Sequence, residues 1–570
     1  LAFYDDKGWQ PTPYVCWHQP FFNEAGVFTV RLTTGADQHI ACTAPVLTER
    51  DLGNCRRQID YAPCCVRDFA IVCSAGYREF TGQCGDIRIR CLANPKHEHY
   101  ARFMVESAKE ALATYTRWFG PYPYPQFTIV ESYFGWNSNE CAGLIMIDAR
   151  IFGMPHLAKA FVDYLVAQAT CHQWWYNVVG THGYSETWMD EGLATYFAYR
   201  LMHAKYGTEE GLVNYPKGLK WLPNVRRTDY RYFNLYGTLA RGEAQPTVQD
   251  IPKYGHIVDL YSMCYERGSK VVGMIEHELG EQGFFDFMRF VYRRHAFGIL
   301  RVADFQRDLE EFTHKSWQTF FQHWVYGAGV TDWCVEKVTV QPLKSWRAHR
   351  PPPIYRSASA TVCSWFHPRT PCKVTVIVHQ KADYSDPTVV GFCLDGGENF
   401  QVRIPVVPET GLIETTDPPG RMETLDNNRV KVEVELPSWP TQIAVDPDQL
   451  LVDSNPVNNY WKTRFRVRAT PVYTFLDETD LTNAYDRWNL IFGPWIFAPT
   501  YDNPWFTRST RFGGRIGAYR TASFEGGAYA AYRTDYRDFV TGIDGIFDHW
   551  PWAHTEAGFV FERRLAGTLE

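Results

Sequence analysis

Up to about residue 95, apolar and polar residues alternate with a period of two, as in GVFTVRLTTG and GDIRIRCL, and Gly, Pro and Asn separate the runs. That period puts every second side chain on one face and predicts short strands in a β-domain. From HEHYARFMVESAKEALATYTRWFG onward the apolar spacing lengthens to three and four. Helices are therefore predicted to about residue 333, apart from the strand-like FTIVESYF. The shorter period returns in CVEKVTVQPL, CKVTVIVHQ and RVKVEVELP, around the turn-rich PETGLIETTDPPGRM, and predicts a β-sandwich ending near residue 458.

A different alternation follows in RFGGRIGAYR, FEGGAYAAYR, FVTGIDGIF and HTEAGFVFER, with aromatic residues near the ends of the runs. Phe524, Ala528, Ala530 and Tyr532 fall on one face, Glu525 and Arg533 on the other. The pattern resembles outer-membrane β-barrel strands, whose outer face meets lipid while the lumen stays polar. A soluble β-domain with one wet face is the alternative, and so few strands close no barrel without more chain. The expected fold class is multidomain α+β. Its parts are an amino-terminal β-domain over 1–95, a mainly helical domain over 96–333, a β-sandwich over 334–458 and a β-rich segment over 459–570.

A chain of 570 residues exceeds one hydrophobic core, in keeping with several domains. Apolar residues make up 45% and charged residues 21%, ordinary for a globular chain. A net charge of -7, without a basic run that could track phosphates, argues against nucleic acid as a partner. Eight of the 15 cysteines precede residue 92, a clustering compatible either with disulfides or with reduced thiols. The opening on Leu1, without an export segment, is read as a cut end.

The chemistry concentrates in QATCHQWWYNVVGTHGYSETWMDEGLATYF. Gln168 and His172 are four apart and share a helical face, and Glu191 follows His172 after 18 residues on a second helical stretch. Two His at that spacing with a carboxylate from the next helix hold zinc with one position open for water, and a Glu beside the first His serves as general base. The stretch resembles the H-E-x-x-H-x18-E signature of the gluzincin aminopeptidases, the membrane-alanyl-aminopeptidase family. CWHQP (16–20), NECAGLI (139–145), YERG (265–268) and FFQHWVYGAGVTDW resemble further elements of that family, in its order.

The resemblance implies a thermolysin-like domain over 96–333, with Zn2+ as cofactor and His172 and Glu191 as surviving ligands. It implies that Glu140 holds a substrate amine and Tyr265 donates to an oxyanion. Gln168 stands where the family has its first His, and Ala169 where it has the general base. An amide is a poor zinc ligand beside imidazole, and an alanine methyl takes no proton. Asn137, Ser138, Asn139 and Cys141 also depart from the family's substrate-binding element.

The leading expectation is a catalytically impaired pseudopeptidase that binds a peptide or protein ligand, with zinc weak or absent, in a bacterial cell envelope. Two alternatives stand beside it. One is an active metallopeptidase with non-standard ligation; the other is an envelope protein whose segment 459–570 associates with the outer membrane and carries the function. A thiolate ligand at Cys171 is disfavoured, because adjacent helical positions point about 100° apart. If zinc is absent, a cation such as Arg267 or His172 itself must compensate the carboxylates.

Overall fold

The computed structural model describes residues 2–5, 8–18, 22–134, 137–207, 211–220, 222, 224–343, 370–397, 399–473, 477, 485–497, 510–534, 536–548, 552 and 555–565. They divide into two compact units, residues 1–216, 226–228 and 245–328 in the first, and 217–225, 229–244 and 329–570 in the second.

The first unit opens with short antiparallel strands, including a three-stranded sheet ordered Arg31–Gly35, Arg56–Tyr61, Val46–Gly53. A five-stranded mixed sheet follows, ordered Arg78–Cys84, Ile87–Ala93, Gln126–Ser132, Leu144–Asp148, Ser138–Cys141. It runs across position 95, because 87–93 pairs in parallel with 126–132. Sequence alternation marks a strand without naming its partner, so this join is a product of tertiary pairing. The central strand 126–132 is almost continuously buried, as expected where both faces are covered.

The helix Glu98–Phe119 lies against this sheet and buries Tyr100, Met104, Ala108 and Leu112, a stripe at the helical period. Helices Lys159–Cys171, Trp188–Tyr206 and Gly268–His295 complete the body around Trp174, Trp188, Phe119 and Phe197.

In the second unit, one sheet is ordered Trp333–Pro342, Cys372–Gln380, Arg429–Leu436, Pro419–Thr424, Leu412–Thr416 and another Val402–Val406, Thr388–Cys393, Gln442–Val445, Tyr460–Trp461. Val374, Val376, Val432 and Val434 supply the inner face of the first, Val390, Phe392, Ile404 and Ile443 that of the second. The stretch read as turn-rich forms a hairpin, 412–416 against 419–424. LIETT is held extended by pairing with 419–424, which is itself paired with 429–436, despite the Pro and Gly around it.

The last strands form an open six-stranded sheet, ordered Arg464–Ala469, Arg487–Phe497, Arg511–Arg520, Phe524–Arg533, Asp538–Asp548, Glu556–Leu565. A closed barrel, which so few strands were not expected to form without more chain, is not formed among the described residues. Among the described residues the two edge strands do not pair, and 464–469 runs parallel to 487–497 where an up-and-down barrel is antiparallel throughout. No helix among the described residues is long and apolar enough to cross a membrane.

Candidate functional site

The helix Lys159–Cys171 buries Val162, Leu165 and Val166 and carries Gln168 and Ala169 in its last turn. His172 sits just past its end at φ -62° and ψ -11°, still helical enough to preserve the i, i+4 relation with Gln168. Glu191 lies in the first turn of Trp188–Tyr206, where unpaired backbone N–H groups favour a carboxylate.

These elements place three of the named side chains in one triangle. Gln168 Nε2 is 2.8 Å from His172 Nε2 and 3.2 Å from Glu191 Oε2, and His172 Nε2 is 3.3 Å from the same carboxylate oxygen. His172 Nδ1 lies 3.2 Å from the Trp175 carbonyl, which fixes the ring. Gln168 and His172 are buried, while the Glu191 side chain keeps 18% exposure. Ala169 is fully buried beside them.

Burial alone would lower the His172 pKa, but the charge and hydrogen bond of Glu191, with Glu140 and Asp190, raise it to about 10. Burial pushes Glu191 the other way, and His172, the Tyr265 hydroxyl and His18 together bring its pKa below the usual carboxylate range. The stable arrangement is an imidazolium paired with a carboxylate. His172 then donates to Glu191, to which Gln168 Nε2 also donates. With a neutral His172, the amide N–H groups donate to both neighbours instead. Either way, the lone pairs that would face a metal are engaged with one another.

Glu140 lies on the edge strand Ser138–Cys141, within electrostatic reach of both His172 and Glu191. Burial raises its pKa, with His172 acting against that rise. The strand is tied to the helix end by Gln173, whose Oε1 accepts from Gly143 N at 2.8 Å and whose Nε2 donates to Cys141 O at 3.0 Å. Gly143 makes the turn at φ +70°, a conformation that favours glycine.

Tyr265 lies in the π-helical segment Tyr261–Arg267, its hydroxyl near enough to Glu191 to help lower that carboxylate's pKa and its ring 4.7 Å from that of Tyr261. Arg267 points elsewhere, donating to Gly327 O at 2.9 Å and His323 O at 3.4 Å, so His172 rather than Arg267 compensates Glu191. Burial pushes the Cys171 thiol well above its ordinary value and keeps it protonated.

Three contributors escape sequence reading. His18 acts electrostatically on Glu191, and its only signal was its place inside CWHQP, whose Gln19 and Pro20 lie outside the described residues. Asp190 accepts from Thr181 at 3.1 Å and, through burial and then Glu191, rises to about 7. Gln173 had no signal beyond adjacency to His172.

The donor set does not fit zinc. Zinc takes imidazole, thiolate or carboxylate, and here two such groups face an amide. Turning the Gln168 carbonyl inward sets a second oxygen against the Glu191 carboxylate at the distance its N–H now occupies. Among the described residues, no group of three or more His, Cys, Asp or Glu side chains is placed to hold a metal ion. At Ala169 there is a methyl where water activation needs a base.

Residues 103–324 match the Peptidase family M1 domain, a zinc-dependent family. The chain is 21% identical over 328 residues to Aminopeptidase M1-A of Oryza sativa subsp. japonica, covering 55% of this chain and 35% of that one. It is 26% identical over 161 residues to Aminopeptidase N of Streptomyces lividans, covering 28% and 18%. The matches thus span about a third or less of those relatives' lengths. The crystal structure of Legionella pneumophila aminopeptidase A in complex with aspartic acid shares the fold at a TM-score of 0.50 and 13% identity, covering 74% of this chain and 43% of that one. Residues 103–324 are thus similar to the Peptidase family M1 domain and to aminopeptidases that carry it, in keeping with the gluzincin-like motifs of the sequence.

Proposed function

We propose that the peptidase body of this protein is catalytically impaired and serves to bind a peptide or protein ligand. One observation carries this reading: Gln168, His172 and Glu191 satisfy each other within 3.3 Å, and Ala169 leaves no base beside them. A site built for hydrolysis holds its ligand lone pairs open for a cation and keeps a proton acceptor near the bound water. In this chain both provisions are replaced. Losing the base alone costs about 10²- to 10⁴-fold in rate, and losing an imidazole ligand compounds it.

The binding half of the site fares better. Glu140 remains on an edge strand whose register and turn are intact, and Tyr265 remains beside Glu191. A ligand bearing a free amine would meet Glu140 there, in an envelope setting of the kind read from the sequence.

The test compares the protein with the double variant Gln168→His, Ala169→Glu. The expected outcome is that the protein binds well under one zinc per chain and turns over aminoacyl-amide substrates at background, whereas the double variant binds close to one zinc and gains measurable turnover. Stoichiometric zinc in the unaltered protein, with chelator-sensitive turnover lost in Glu191→Ala, would establish the active metallopeptidase instead.

A further inference from the structure

The last sheet has its polarity reversed from that of a soluble sheet. On strands 487–497, 511–520, 524–533, 538–548 and 556–565, the side with the charges is the buried one. Arg511, Arg515 and Arg533 are 2%, 6% and 3% exposed. Arg515 pairs with Asp544 at 2.5 Å, Arg511 with Glu562 at 3.2 Å, and Arg533 with Asp538 at 2.6 Å and Glu562 at 3.1 Å. Arg564 adds a 3.6 Å contact to Asp538, so these buried arginines and their carboxylates are paired among themselves. Trp495 and Tyr529 fill the space among the pairs, and Arg515 lies 5.6 Å from the Trp495 ring centroid.

The opposite side is apolar and open. Phe492, Phe512, Ile516, Ile543 and Phe561 are 45%, 47%, 67%, 48% and 67% exposed, and the register aligns them: Phe492 with Ile516, Ile543 with Phe561. An exposed apolar face of aligned aromatic and aliphatic side chains is the kind of surface that meets a protein or a membrane.

The arrangement of its residues indicates what covers it. Phe512, Tyr532 and Phe539 form a cross-strand row near one end, with the Tyr532 and Phe539 rings 5.3 Å apart. Trp488, Phe524 and Phe547 cluster near the other, their rings 6.0 and 4.8 Å apart. Between them lie Gly514, Ala518, Ala528, Ala530 and aliphatic residues, and Arg563 on the edge strand is the one charged side chain there among the described residues. Ten residues of strand measure roughly 33 Å. Tilted by about 40°, they span roughly 25 Å, the height of the apolar band of a membrane β-wall, which aromatic girdles flank on both sides.

We propose that this five-stranded face packs against lipid hydrocarbon, and that the paired charges line the side turned from lipid. A band between two aromatic rows whose one charge among the described residues, Arg563, stands on the edge strand complements a hydrocarbon slab with two polar interfaces. A protein partner would require neither the rows nor their spacing. The free edge of Glu556–Leu565 is then where further strands, of this chain or a second copy, continue the wall.

The test is flotation of the 570-residue chain with neutral phosphatidylcholine vesicles, with and without 1 M NaCl. The expected result is that the protein rises with the vesicles at both salt concentrations. Ile516→Asp and Phe561→Asp, at positions two-thirds exposed, each reduce the floated fraction at least fivefold while near-UV circular dichroism stays unchanged. Protein that stays at the bottom overturns the proposal. So does a lipid-free soluble dimer that Ile516→Asp splits, which would assign the face to a second copy. Neither result bears on zinc or turnover at the peptidase site.

Discussion

Gln168 and Ala169 determine what the site can do, and both were legible in the sequence because ligand and base occupy fixed offsets on one helix. How the side chains around them are arranged was not legible. The closing of His172 onto Glu191 depends on a distance between two helices, and His18 reaches Glu191 across more than 170 positions of chain. The ion pair also has a structural role. Glu191→Gln leaves a buried imidazole without its counter-charge, and removing one partner of a buried pair is costly. The expected loss is about 3 kcal/mol, at the low end of such changes because Glu191 is partly exposed. Urea denaturation measures it, and a change under about 0.5 kcal/mol, the range of inert surface substitutions, would show that the pair contributes little.

At the scale of elements, the helix carrying Glu191 and the segment carrying Tyr265 come together through two glycines. A Cβ on Gly192 would stand 3.0 Å from Cys264 O and 3.1 Å from Gly268 Cα, and one on Gly268 would stand 3.2 Å from Trp188 Cβ. The close crossing brings the Tyr265 hydroxyl to Glu191. Gly192→Ala is therefore expected to lower stability by about 1–3 kcal/mol, the usual range for overpacking. The urea midpoint should fall at constant slope, and an unchanged midpoint would mean that the backbones yield without cost. Sequence periodicity marked the helical region as a whole, but Trp188–Tyr206 is buried on nearly every side and carries no amphipathic stripe. Periodicity misread PETGLIETTDPPGRM, where turn-forming residues outweighed two short strands that pairing with each other and with 429–436 stabilises.

Across the whole molecule, cysteine count left disulfides and free thiols equally open. Fourteen cysteines among the described residues are free, and only Cys16, Cys55, Cys65 and Cys73 are exposed. Thiol titration in guanidinium without reductant is expected to find at least fourteen reactive groups, and in the native protein a fast phase close to four. A denatured count that falls short by pairs would reveal cross-links. Burial raises the pKa of Cys42 to about 11 and that of Cys171 well above its ordinary value, which keeps both out of the fast phase.

Local patterns were enough to determine several properties of this protein: the periods that make strands and helices, the spacing that places Gln168, Ala169 and His172 on one face, and the alternation that splits apolar from charged positions after residue 459. Those properties depend on residues within one or two turns, or on the pleat of one strand, so the order of side chains carries them directly. Tertiary structure decided the rest. It settled that strands 78–93 join the sheet that bears Glu140, that His172 and Glu191 neutralise each other, and that the last sheet turns its charges inward and its phenylalanines outward. Each of these depends on which distant surfaces meet, a choice made by burial and pairing energies summed over the folded chain.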